Sequence, residues 1–125
     1  GQNRMPVAAI KSRRGNFVKP TVASTSAAMN IQLPNDMRVS LTDTDAPGGY
    51  PLAGFTWVLV YKEQAYQGRS LAKVHELARL IRWMTHEGQK YAEPMEYAPL
   101  TRGAVEKAEA LLKSMTYDGK NILTR

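Results

Sequence analysis

The strongest periodic signal in the chain lies between residues 70 and 87. At about 100° per residue, Leu71, Val74, Leu77, Ala78, Ile81 and Met84 fall within one arc of roughly 140°, the apolar face of a helix. Lys73, His75, Glu76, Arg79, Arg82 and His86 fill the polar side. Leu80 sits on the border and Trp83 among the polar positions, which predicts a second neighbour for that ring. Gly88 predicts the stop. A second stripe, Val105, Ala108, Leu111, Leu112 and Met115, predicts a helix capped by Thr101 and carrying a Glu109–Lys113 pair at i,i+4. Beyond Asp118-Gly119 the tail is expected to be loose.

Alternation and β-branching carry less of the chain. Residues 55–61 are aromatic and β-branched, bounded by Gly54 and by Lys62-Glu63, and predict a buried sheet strand. Residues 7–10 and Phe17-Val18 flank Ser12-Arg13-Arg14-Gly15-Asn16, a hairpin whose tight turn uses the positive φ open to Gly15. Thr21 then caps a short helix, about residues 22–31. Residues 33–49 carry Pro34, Asn35, Asp36, Asp43, Asp45 and Pro47-Gly48-Gly49, a long loop broken by a short strand over 38–41. A loop of that length suits a crossover between lobes better than the inside of a compact domain.

Composition narrows the classes. A chain of 125 residues, 43% hydrophobic and 22% charged, suffices for a globular core, and it contains no internal repeat. The longest apolar run, 55–61, is far short of the roughly 20 residues of a spanning helix. No apolar signal-peptide core follows Gly1-Gln2-Asn3-Arg4. Without cysteine there is no disulfide frame, thiolate metal site or thiol nucleophile. The net charge of +6 draws anions, but it is spread along the chain. Its one dense cluster, Lys11, Arg13, Arg14 and Lys19, brackets the hairpin turn.

The candidate chemistry is thin. His75-Glu76-Leu77-Ala78-Arg79 begins like H-E-x-x-H, but Arg79 replaces the second imidazole. His86, eleven residues on, is roughly 16 Å away along a helix, so both histidines read as surface residues. No G-x-S-x-G elbow is present. Gly48-Gly49 precede Tyr50-Pro51 and a strand, whereas a phosphate loop opens a helix N-terminus, so they read as turn residues. Thr42, Thr44, Tyr50 and Thr56 are hydroxyls near the crossover, suited to the rim of a cleft or to turn capping and strand packing. Phe17 and Tyr50 beside Arg13 and Arg14 allow an alternative, a small basic module that binds nucleic acid or protein through the hairpin.

Two stretches change the picture: Gly49-Tyr50-Pro51-Leu52-Ala53-Gly54-Phe55-Thr56-Trp57-Val58-Leu59-Val60-Tyr61-Lys62, and Gly88-Gln89-Lys90-Tyr91-Ala92 through Glu96-Tyr97-Ala98-Pro99-Leu100. In this order, with one amphipathic helix between them, they resemble the C-terminal portion of the periplasmic phosphate-binding proteins, the PstS-like solute receptors of phosphate-specific ABC transporters. The resemblance extends upstream to Ala9-Ile10-Lys11 and Gly15-Asn16-Phe17-Val18-Lys19-Pro20, and downstream to the closing helix. The chain departs from the family pattern at residues 65–73 and at Glu93-Pro94-Met95.

The resemblance implies an α/β chain of the type II periplasmic-binding-protein fold. Residues 1–42 would end the second lobe with a hairpin and a helix, 43–49 would cross over, and 50–125 would return to the first lobe as a strand and two helices. It implies inorganic phosphate and ABC permease subunits as partners of the complete receptor, a periplasmic or cell-envelope location, no catalysed reaction, no cofactor, no metal and no nucleic acid. The family's phosphate contacts lie on Gly/Ser/Thr-rich helix-start loops in its N-terminal half, so no phosphate-binding residue is expected here. The signal peptide would likewise lie outside this stretch. A strand 55–61 whose sheet partners come from elsewhere would offer its edge to another copy, which predicts self-association, most simply a dimer.

Overall fold

The computed structural model describes residues 6–123; residues 1–5 and 124–125, at the outer ends of the first and last expected units, lie outside that description. Strand β1, Ile10–Lys11, pairs antiparallel with β2, Phe17–Val18, with Ile10 opposite Val18. Gly15 takes φ +86° in the connecting turn, as expected. Helix α1, Val22–Ala27, starts at Thr21 in a reciprocal capping box: the Ser24 N–H donates to Thr21 Oγ1, and the Thr21 N–H to Ser24 Oγ.

Helix α1 stops short of the expected residue 31. Met29 N–H donates to Ser26 O and Asn30 N–H to Ala27 O, i to i−3 bonds that tighten the chain out of the α-helix. The strand expected at 38–41 does not form. Met37 takes φ +57°, its carbonyl accepts from the Val39 N–H, and the Arg38 N–H donates to Asp36 Oδ1, so the backbone is spent on local turns.

Helix α2, Leu71–Thr85, is capped by Ser70, whose hydroxyl faces the Lys73 N–H, and buries Val74 and Ala78. Gly88 does not stop it. The helix ends at His86, and Gly88 lies inside a 3-10 helix, Glu87–Tyr91, with a second one at Glu93–Met95. Helix α3, Arg102–Lys113, follows Thr101, which holds the N-cap position without a side-chain hydrogen bond. The tail is not loose. Strand β3, Thr116–Tyr117, pairs with β4, Lys120–Asn121, around Asp118 (φ +50°) and Gly119 (φ +70°), a two-residue type I′ turn. Ile122 is then driven into the core.

Three apolar clusters result. Val74, Ala78, Leu112, Met115 and Ile122 pack α2, α3 and the C-terminal hairpin together. Ala28, Met29, Leu41 and Ala53 form a second cluster, and Leu33, Met37 and Ala104 a third. Ile31, Phe55 and Leu100 pack against both of these, so the first part of the chain rests on the segment that leads into α3. The mixture of helix and strand fits an α/β class, with two separate two-stranded sheets among the described residues.

Candidate functional site

Residues 43–49, expected as a crossover, are pinned rather than open. The Asp43 N–H donates to Pro51 O at 2.8 Å, and Thr42 and Leu52 form an isolated antiparallel bridge, which closes residues 42–52 into a loop. The Tyr50 N–H reaches Ser24 O at 2.9 Å, and the Thr44 hydroxyl donates to Ala28 O at 3.2 Å, tying that loop to the end of α1. Gly48 supplies φ +72°. A Cβ on Gly49 would sit 3.0 Å from Ala28 Cα, so a larger residue requires the backbone there to give by a few tenths of an ångström. Thr42, Thr44 and Tyr50 therefore gather on one loop, with Thr42 exposed and the other two half-buried. Thr56 stands apart and exposed in the segment that follows.

The basic hairpin turn lies on the same loop. The Arg13 N–H donates to Asp43 Oδ1 at 2.8 Å, and its guanidinium lies 3.6 Å from Asp43 Oδ2 and 3.7 Å from Asp45 Oδ1. Arg14 Nε donates to Asp45 O at 2.7 Å. The two arginines are thus engaged by the chain's own acidic loop. Both side chains remain exposed, but the Asp43 and Asp45 carboxylates beside Arg13 offset part of the charge a nucleic-acid surface would use.

Residues 55–61 depart most from expectation. They belong to no helix or strand among the described residues, and they are largely exposed: Leu59 is 91% exposed and Trp57 48%. Phe55 anchors one end in the apolar clusters and meets Trp57 edge-on at 5.4 Å. At the other end the Thr116 N–H donates to Lys62 O and the Gln64 N–H to Thr116 O, both at 2.8 Å. Between these anchors the backbone groups of residues 56–60 pair with nothing in the described residues. The sequence features that suit this segment to a sheet core are therefore present without the sheet.

Just beyond it, Glu63 organises the C-terminal hairpin. Its carboxylate accepts from the N–H groups of Ala65, Asp118 and Gly119 and from the Thr116 hydroxyl. Those donors hold its pKa down, from 4.5 to about 2, with the Ala65 N–H the largest contributor and Thr116 the next. Buried Gln64 donates to Tyr61 O and accepts from Arg69, which stacks on Tyr66.

The histidines separate. His75 is half-buried on α2. His86 is not a free surface residue: its Nε2 lies 3.0 Å from Glu109 Oε1, in a cluster with Arg82 and Lys113. The Arg82 hydrogen bond, followed by the Lys113 charge, holds the Glu109 carboxyl below its ordinary value. Trp83 finds its second neighbours in the turn that follows α2, Tyr91 at 6.1 Å and Gly88. Among the described residues no His, Asp and Glu group is arranged to hold a metal, and no helix is long and apolar enough to cross a membrane.

An open cavity of about 510 Å³ lies between the turn after α1 and the start of α3, lined by Met29, Ile31, Leu33, Thr101, Arg102 and Lys107. Arg102 pairs with Glu106 at 2.8 Å and Lys107 holds Asn35 Oδ1, so both of these cations are already engaged.

No family model matches this chain. Among curated proteins it is similar to the "Phosphate-binding protein PstS" of Methanocaldococcus jannaschii, 32% identical over 107 residues, which is 78% of this chain and 27% of that protein. It is also similar to the PstS proteins of Xylella fastidiosa strain Temecula1, at 28% identity over 87% of this chain and 30% of the relative, and of Pasteurella multocida, at 25% over 97% and 36%. The chain thus spans about a third or less of the length of these relatives.

Proposed function

We propose that this PstS-like chain serves within a receptor that binds inorganic phosphate and delivers it to an ABC permease, in the periplasm or cell envelope, without catalysing a reaction. Within that receptor the chain supplies scaffold and crossover, and the phosphate cradle lies in sequence that the relatives have and this chain does not span. The division into an end of one lobe (1–42), a crossover (43–49) and a return to the other lobe (50–125) belongs to this reading. So does the placing of Thr42, Thr44, Tyr50 and Thr56 at the rim of the cleft. In the complete receptor a hinged clamp would close on phosphate held by helix N-termini.

The observation that carries the reading is the apolar segment 55–61, in which the backbone groups of residues 56–60 pair with nothing among the described residues. A stretch with Leu59 at 91% exposure has the composition of a sheet interior and joins no sheet among the described residues. Strands from the remaining two thirds of a receptor of the relatives' length would cover it. The small basic module is the weaker reading, because Arg13 and Arg14 are held by Asp43 and Asp45.

Isothermal titration at low salt tests the reading. The chain alone is expected to show no saturable phosphate binding at micromolar concentration, because nothing in it offsets the desolvation of a doubly charged anion. The chain mixed with the remaining part of a PstS relative is expected to bind one phosphate. Tight one-to-one binding by the chain alone would overturn the division of labour. A second reading rests on the same segment: without a receptor around it, the exposed edge pairs with another copy. Sedimentation equilibrium at 100 μM (about that concentration suffices for a weak edge contact) would show a dimer in which Trp57 is shielded, and a monomer would refute it.

A further inference from the structure

We propose that His86 is a proton-dependent switch at the C-terminus of α2, in which Thr85 takes over one ring nitrogen when the proton leaves. The imidazole occupies the C-cap of α2, with its side chain 23% exposed. Its Nδ1 lies 2.9 Å from Arg82 O and 3.0 Å from Thr85 Oγ1, and its Nε2 lies 3.0 Å from Glu109 Oε1. A carbonyl and a carboxylate can only accept. Both are satisfied together when both nitrogens carry hydrogen, which makes the ring an imidazolium.

Loss of the proton leaves two arrangements of unequal quality. A ring with its hydrogen on Nδ1 keeps Arg82 O but turns a lone pair on the Glu109 carboxylate. With its hydrogen on Nε2 it keeps Glu109 and needs a donor at Nδ1, and Thr85 provides one. The Thr85 hydroxyl is 3.1 Å from Ile81 O and 3.1 Å from Arg82 O, and rotation about its C–O bond swings the hydrogen from those carbonyls to Nδ1. Nδ1 thereby changes from donor to acceptor, and Arg82 O loses its partner.

The charged groups facing the ring are few. Arg82 from α2 shares Glu109 Oε1 at 2.9 Å, and Lys113 from α3 stands 3.6 Å from Oε2. Glu87 follows in the chain, and Lys90 lies over the Tyr91 ring. Because the Nε2 hydrogen stays on Glu109, with Arg82 and Lys113 beside it, deprotonation keeps the helices joined and releases only the bond to Arg82 O. The movement it frees is in the next turn. Gln89 there donates to Met84 O at 2.6 Å and accepts from the Leu100 N–H at 2.7 Å, joining the end of α2 to the segment under the N-terminal clusters.

Long-range proton–nitrogen NMR of the whole chain across neutral pH tests this, since histidine changes charge in that range. Expected are both His86 nitrogens protonated at the acid end and hydrogen on Nε2 alone at the alkaline end. The amide signals of residues 87–91 should shift at the same midpoint. Hydrogen retained on Nδ1 at high pH, or amides 87–91 that ignore the transition, would overturn the proposal. Thr85→Val, nearly isosteric, is expected to turn the single alkaline tautomer into a mixture. An unchanged tautomer in that variant would remove Thr85 from the device.

Discussion

Gly88 lies against Trp83 so closely that a Cβ at residue 88 would come within 2.9 Å of the Trp83 carbonyl oxygen and 3.1 Å of its ring. The glycine is required by proximity, since it carries no positive φ. Gly88→Ala is expected to cost about 1–3 kcal/mol, because backbone atoms must move to admit the methyl group. Urea denaturation followed by tryptophan fluorescence would measure it.

Gly103 is the useful contrast. It sits in the first turn of α3 with open space where a Cβ would be. Gly103→Ala is expected to stabilise by roughly 0.5 kcal/mol, by reducing the entropy lost on folding. The same denaturation series reads it.

Glu63 predicts the acid limb of stability. Its folded pKa is about 2, below the ordinary 4.5. Its contribution is therefore complete above the unfolded value and lost as pH falls from about 4.5 towards about 2. Thermal melts over that window should show a steeper decline for the native chain than for Glu63→Gln, whose side chain does not titrate.

Ile122→Ala should be the most damaging change near the C-terminus. The side chain is 2% exposed and packs among Val74, Ala78, Leu112 and Met115. Deleting it leaves a cavity in the α2–α3 core, at a cost of about 2–5 kcal/mol, measurable by chemical denaturation.

Arg13→Ala with Arg14→Ala is expected to change nucleic-acid binding little, any affinity being weak and lost by about 150 mM salt. Stability should fall by about 1 kcal/mol at most, since the hairpin contacts are exposed. A mobility-shift series across salt, paired with a melt, checks both halves.

What the sequence makes legible follows from where each signal is stored. The Thr21 cap, the Gly15 turn and the apolar face of α2 are local, and all three stand in the structure where the residues put them. The C-terminal hairpin was equally local, since Asp118-Gly119 between Thr116-Tyr117 and Lys120-Asn121 is a type I′ signal. The short flanking strands hid it. Gly88 misled because its role is a contact with Trp83 and not a backbone angle. The Arg13–Asp43 and Arg14–Asp45 contacts span thirty and thirty-one residues, beyond any periodicity. Residues 55–61 read as strand because propensity records what would suit a sheet, and propensity is silent about whether partners are at hand.

The bond from Thr116 Oγ1 to Glu63 joins positions 53 apart in the chain. A link of that span closes a long loop, and such closures are entropically slow. The hairpin beyond it is a latch fastened from the far end. Ile122 lies in the α2–α3 core, and Thr116, whose N–H donates to Lys62 O, opens the hairpin that carries it there. A change at Glu63 would therefore be felt in the α2–α3 core, where Ile122 sits.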